Sequence, residues 1–311
     1  MRLQGKGAAV FKKVVVGYAS DGAGRDAVKL AGAFATAVGA SVTIVYPYSP
    51  LLSVIPAETA EERVREEVQA LLPDSLESAS VTYHWSSSSW PIRALHAMAS
   101  YEDAGLIVVG AAREGLAAHL RVSEMERMVH GAPCAVLVAP AGYADADVGA
   151  WRRIGVGFTD STEARMALRL AREFADTLGS ELEVLAAAWV GGAVRGYASM
   201  AIPVSTLEDE TYAATSAGVE RAVAELAADK PVRTRTVRGD PRDELVKQSE
   251  ALDLLVLGSR GYGPLRHALL GSVSAPVMRA AHCPVLVVPR GSQPEANEAE
   301  RVRATIGAGA G

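Results

Sequence analysis

The sequence predicts an α/β protein built as two doubly wound, five-stranded parallel-sheet domains in tandem. Three observations carry this: the chain is written twice, short β-branched runs alternate with helical patterns in each copy, and the composition supports large cores. Of 311 residues, 49% are hydrophobic and 22% charged. A chain of that length and composition divides into about two domains of ordinary size.

The repeat is read directly. "KKVVVGYASDGAGRDAVKLAGAFATAVGASVTIV" from Lys12 lies without a gap against "RRIGVGFTDSTEARMALRLAREFADTLGSELEVL" from Arg152, 140 positions later. Gly17, Leu30, Ala31, Phe34, Ala35 and Gly39 fall on Gly157, Leu170, Ala171, Phe174, Ala175 and Gly179. The later parts match as well: "DAGLIVVGAAREG" with "ALDLLVLGSRGYG", and "PCAVLVAPAG" with "HCPVLVVPRG". A period this long exceeds a solenoid unit, so each copy is a whole domain. The copies are assigned to residues 1–145 and 146–290. The segment 291–311, which lacks aromatics, reads as a mobile tail.

In the first copy, strands are expected near Lys13 to Tyr18, Ser41 to Tyr46, Ser80 to Ser86, Leu106 to Val109 and Ala135 to Val138. In the second they are expected near Arg152 to Phe158, Glu181 to Trp189, Val232 to Arg238, Asp253 to Gly258 and Pro284 to Val288. Helical patterns fill the intervals, which argues for βαβ units and a parallel, Rossmann-like sheet. The first helix of the second copy has apolar positions at Ala164, Ala167, Leu168, Ala171, Phe174, Ala175 and Leu178, one buried stripe, with Gly179 placed as its C-terminal cap.

The net charge of −5 offers no basic field for nucleic acid, and none is expected as a partner. The N-terminus lacks the apolar core of a secretory signal, and no run approaches the roughly 20 apolar residues of a spanning helix. The expectation is a cytoplasmic protein without a membrane partner. The two cysteines, Cys134 and Cys283, are repeat equivalents and read as small buried hydrophobes. The histidines are scattered and form no metal motif, and none stands at a triad spacing.

Ligands of doubly wound domains bind beyond the carboxyl ends of the strands, so the loops after strands one and four of each copy are the places to search. In the second copy that place holds "VLGSRGYGPLRHALLGSVSAP". Gly258 ends the strand, Gly261 follows after two residues, and Gly271-Ser272 come after nine more, before a helix expected near Val273. Glycines let a backbone approach an anion, and a helix start adds amide donors, with Ser272 or Ser274 capping it or bonding a phosphate. The alternative is an ordinary loop in which Ser272 caps a helix. No Walker loop or dinucleotide fingerprint is present. Arg260 and Arg266 are within sequence reach of phosphate oxygens, although exposed loop arginines are also commonly solvated. The segment from Gly191 to Ser205 is either a lid or a packed connection, and "SSSS" from Ser86 reads as a solvated loop.

The doubled domain and the pattern Gly258-x2-Gly261-x9-Gly271-Ser272 resemble the universal stress protein family in its tandem form, over about residues 12 to 290. The resemblance implies ATP binding in the C-terminal domain, with any Mg²⁺ carried by the phosphates. By position it implies phosphate contacts from Gly258, Ser259, Arg260, Gly261, Gly271, Ser272, Val273 and Ser274, and a backbone contact near Ala187. Where the family has an aspartate at the end of strand one, this chain has Thr159, with Asp160 next. Either Asp160 turns into that role, Thr159 serves it, or adenine recognition is weakened. The first copy departs further, with Ala19, Arg113 and Val122 at the positions of Thr159, Gly261 and Gly271, so a single nucleotide site is expected. The family also implies an intramolecular pseudo-dimer through the last strand of each copy, with a homodimer of the whole chain as an additional state. The reading is a nucleotide-dependent stress-response regulator or sensor. The alternatives are a scaffold that binds no nucleotide, or a slow ATP-hydrolysing or adenylating enzyme without a recognisable catalytic residue.

Overall fold

A computed structural model describes residues 11–47, 56–76, 80–86, 91–111, 125–146, 149–191, 203–226, 230–259 and 271–289. The chain divides after Gly149 into two compact units, the second being Ala150–Arg290. The parallel α/β architecture is the one read from the sequence.

In the N-terminal unit the order is β1 (Lys13–Gly17), α1 (Gly22–Val38), β2 (Ser41–Pro47), α2 (Ala57–Gln69), β3 (Val81–Ser86), α3 (Pro91–Glu102), β4 (Leu106–Gly110) and β5 (Ala135–Ala139). Its strands lie side by side as β3-β2-β1-β4-β5, all parallel. The C-terminal unit has β6 (Arg153–Gly157), α4 (Thr162–Leu178), β7 (Glu181–Ala188), α5 (Val204–Glu225), β8 (Val232–Arg238), α6 (Pro241–Ser249), β9 (Leu254–Gly258), α7 (Ser274–Ala280) and β10 (Val285–Val288). It repeats the order as β8-β7-β6-β9-β10.

The central strands are buried on both faces, which explains their continuous apolar runs; Val14, Val15 and Val16 of β1 and Leu254, Leu255 and Val256 of β9 are fully enclosed. β8, "VRTRTVR", is the outer strand of its unit and alternates Arg with Thr. Arg235 and Arg233 of β8 pair with Glu183 and Glu181 of β7, at 2.8 and 3.3 Å. Such charges blunt an edge that would otherwise recruit another strand.

The first helix of each unit begins and ends by the same devices. Asp21 Oδ1 accepts from the Gly24 amide at 2.8 Å, and Ser161 Oγ accepts from the Ala164 amide at 3.2 Å. Gly39 and Gly179, both at φ 71°, close the helices in the left-handed conformation that a side chain resists.

Three local expectations need correction. Ser86 is not solvated; it is the buried last residue of β3, because the run of serines begins inside the strand. Neither Ser272 nor Ser274 caps α7. The residue before the helix is Val273, whose φ −99° and ψ −50° are already helical and leave no extended cap geometry. Several strands also end one or two residues away from the boundaries read in sequence, as at β2, which includes Pro47.

Both cysteines are buried, and burial pushes each thiol up to about 12, so neither is a thiolate at neutral pH. Among the described residues no helix is long and apolar enough to cross a membrane.

Candidate nucleotide crevice

In each unit the chain leaves the first strand toward one side of the sheet and the fourth toward the other, which opens a crevice beyond their carboxyl ends. In the C-terminal unit this crevice lies between the ends of β6 and β9.

Beyond β6 the Phe158 amide donates to the Leu185 carbonyl at 2.8 Å, and the Ser161 amide donates to the Thr159 carbonyl at 2.7 Å. The strand thus continues one residue past its end and then turns tightly into α4. Thr159 and Asp160 are both exposed in that turn. Asp160 is already engaged: Arg165 of α4 donates to Oδ1 at 2.7 Å, and Arg221 of α5 lies 3.6 Å from Oδ2. The Arg165 hydrogen bonds hold the Asp160 carboxyl below the usual carboxylate range, with Arg221 adding to the effect. Arg165 also pairs with Glu225, so the carboxylate belongs to an ion network linking α4 and α5.

The end of β9 and the start of α7 are stitched together. Ser274 Oγ donates to the Gly258 carbonyl at 2.8 Å, and the Gly271 amide donates to the Ser259 carbonyl at 2.8 Å. The Ser259 amide donates to the Val288 carbonyl of β10 at 2.9 Å. Ser274 is buried and spends its hydroxyl proton on the strand end, and the Gly271 amide is taken by the Ser259 carbonyl. Ser272 is exposed, and among the described residues no acceptor stands opposite the Ser272 or Val273 amide. Arg260, Gly261, Arg266 and His267 lie outside the described residues, as do residues 192–202 of the proposed lid.

Gly258 has a reason of its own. A Cβ there would come within 3.0 Å of the Glu163 backbone, and one on Gly110 would come within 2.0 Å of the Ala23 carbonyl oxygen. In both units the first turn of the first helix presses on the end of the fourth strand. Packing alone thus gives this position a reason for glycine in both units, beside any contact with a ligand.

Ala187 pairs with Val237 on β8 and is half-buried near the end of β7. Two residues on, Trp189 is 48% exposed. The motif search did not single out the buried Glu163 of α4, set where the first copy has Ala23 and packed against the end of β9, or the exposed Trp189 just past the end of β7. Laying the two copies against each other exposes the first; nothing in the pattern marks the second.

The family model described as "Universal stress protein family" matches residues 11–140 and again 150–289. A universal stress protein of Mycobacterium tuberculosis strain H37Rv is 31% identical over 193 residues, 60% of this chain and 62% of the relative. The match thus spans less than two thirds of that relative's length. The solved universal stress protein of Archaeoglobus fulgidus DSM 4304 aligns over 90% of this chain and 99% of its own, with a TM-score of 0.59 and 18% identity, and so shares the fold. A universal stress protein solved in complex with cAMP aligns over 47% of this chain and all of its own, at 26% identity and a TM-score of 0.32.

Proposed function

Because the chain belongs to the universal stress protein family, we propose that its C-terminal unit binds ATP in the crevice beyond β6 and β9, and that occupancy alters its shape or choice of partner. The observation that carries this reading is the stitched junction of β9 with α7. Ser274 and Gly271 tie the strand end to the helix start, and in this proposal the exposed Ser272 hydroxyl and the Ser272 and Val273 amides turn toward the crevice. Amide and hydroxyl donors at such a junction suit phosphate oxygens. Gly261 and Arg260 complete the phosphate contacts in this proposal, and Ser259 and Gly258 supply their frame. Ser274 acts through the frame and does not touch phosphate.

Asp160 is tied to Arg165 and Arg221, so the contact that an aspartate would make beyond strand one falls to the Thr159 hydroxyl, with the Ala187 backbone beside it. An adenine nucleotide held this way would carry Mg²⁺ on its phosphates. The bound nucleotide supplies charge and shape to be sensed. Cytoplasmic residence and dimerisation of the whole chain belong to the same proposal, and sedimentation measures the latter.

Calorimetric titration with ATP, AMP and GTP tests the reading. Saturable ATP binding is expected, abolished by Gly271→Val, which imitates Val122 of the first copy. No binding at millimolar ATP would leave the scaffold reading in its place, and turnover many times beyond stoichiometry with Mg²⁺ would favour an enzyme.

A further inference from the structure

The sheet order separates the two ends of any nucleotide in this crevice. Phosphates at the β9–α7 junction lie one side of β6, and β7 lies on the other. Neighbouring strands are about 4.8 Å apart, so the end of β7 stands about 10 Å from the end of β9. That is the scale of the separation between the phosphates and the base of a nucleotide.

Trp189 is the first residue past β7. Its indole lies beside the Gly191 backbone, since a Cβ built on that glycine would stand 3.7 Å from the ring's Cη2 atom. It is still 48% exposed. Among the described residues the only other large apolar side chain so exposed is Tyr101, on α3 of the other unit. The residues before Trp189 are small: Ala186, Ala187 and Ala188 end the strand. An aromatic face kept in water at the lip of a crevice is the feature that stacks on a heterocyclic base, an interaction that tolerates any base because each has a π-face.

We propose that Trp189 is the base platform of the C-terminal crevice, so that affinity there depends on a stacked aromatic ring in addition to the phosphates; this rests on the nucleotide reading above. The ligand class is a nucleoside polyphosphate, with inorganic tripolyphosphate binding through the cradle alone. Thr159 and the Ala187 backbone orient the ring, while Trp189 contributes affinity without strong base selectivity.

The test is calorimetry of the full chain with ATP and, separately, with inorganic tripolyphosphate, in the wild type, Trp189→Ala and Trp189→Phe. Stacking predicts that Trp189→Ala weakens ATP about tenfold or more while tripolyphosphate is unchanged, and that Trp189→Phe recovers most of the loss. The indole emission of the wild type should also change on ATP addition by an amount that Trp189→Phe removes. Wild-type ATP binding with an unchanged Trp189→Ala affinity overturns the platform and leaves the nucleotide site standing. An equal loss for ATP and tripolyphosphate also overturns it, since the indole would then act on the cradle. Failure of the wild type to bind ATP overturns the site itself. Because Trp189 is half exposed, the substitutions leave the core intact.

Discussion

The two units share strand order and helix caps but differ where β-strands one to three end. In the N-terminal unit that row carries Tyr18, Tyr46 and Trp85, with ring centroids 6.1 Å apart for the first pair and 5.3 Å for the second. In the C-terminal unit the corresponding positions are Phe158, Ala186 and Thr236. The Tyr18 hydroxyl donates to Glu67 of α2 at 2.5 Å, and Ser20 donates to the same carboxylate at 3.0 Å. An acidic group thus sits beside the loop after β1, and the rings of Tyr46 and Trp85 stand where the second copy has the smaller Ala186 and Thr236. A negative charge and bulky rings both oppose a nucleotide, which is consistent with the proposal that places the nucleotide in the C-terminal unit alone. Duplication of a fold leaves each copy free to fill its own strand ends differently.

The largest expected effect tests whether the pressure of the first helix on the fourth strand differs between copies. Gly110→Ala places a Cβ 2.0 Å from the Ala23 carbonyl oxygen, a backbone atom that can retreat only with α1. A cost of about 3 kcal/mol is expected. Gly258→Ala meets its nearest atom at 3.0 Å and should cost about 1 kcal/mol. Denaturant unfolding followed by hydrogen exchange in each unit reads the two separately; equal costs would show that the packing is the same in both.

A smaller effect concerns the Tyr18–Glu67 contact that distinguishes the first copy. Removing the hydroxyl with Tyr18→Phe should cost about 1 kcal/mol near neutral pH. The Tyr18 hydrogen bond is the main cause that lowers the Glu67 carboxyl below its ordinary 4.5, with Ser20 and Arg63 adding. A lowered carboxyl contributes stability above its unfolded value, and that contribution is lost as pH falls through the folded one. Burial, then Glu67, raises the Tyr18 hydroxyl above its ordinary 10, so the contact persists through neutral pH and weakens only in strong alkali. The gap between wild type and Tyr18→Phe in urea unfolding should therefore close toward pH 3. A gap of constant size across that range would mean that the ring's packing, and not the hydroxyl, sets the cost.

The parallel sheets, the doubling and the C-terminal cap of the first helix were legible because each follows from local patterns: alternating periods, a repeat without a gap, and a glycine such as Gly179 at a helix end. The crevice was legible in place but not in detail. Gly258 reads as part of a phosphate motif, and the fold adds a close approach to Glu163, 95 positions earlier in the chain. Ser274 looked like a cap or a phosphate ligand, and its hydroxyl bonds the strand end instead. In each case a residue whose type suits a ligand is taken by a partner that only the fold brings near. Trp189 carries no pattern at all, because exposure depends on what the fold leaves uncovered.

The smallest predicted effect sharpens the same comparison at the loop after strand one, where the second copy has Thr159-Asp160 and the first Ala19-Ser20. Asp160 is an exposed carboxylate whose bonds run to Arg165 and Arg221, and exposed ion pairs contribute little to stability. Asp160→Asn keeps an oxygen for Arg165, so the unfolding midpoint should not move measurably. ATP affinity should change by less than about twofold, because the charge lost is one that two arginines already screen. Thr159→Val removes the hydroxyl assigned to the base at nearly constant shape, and it should weaken ATP more than Asp160→Asn does. The two variants compared in one calorimetric series decide the assignment: a loss of about tenfold for Asp160→Asn with Thr159→Val near wild type would return the role to the aspartate, and would mean that ATP draws Asp160 away from Arg165 when it binds.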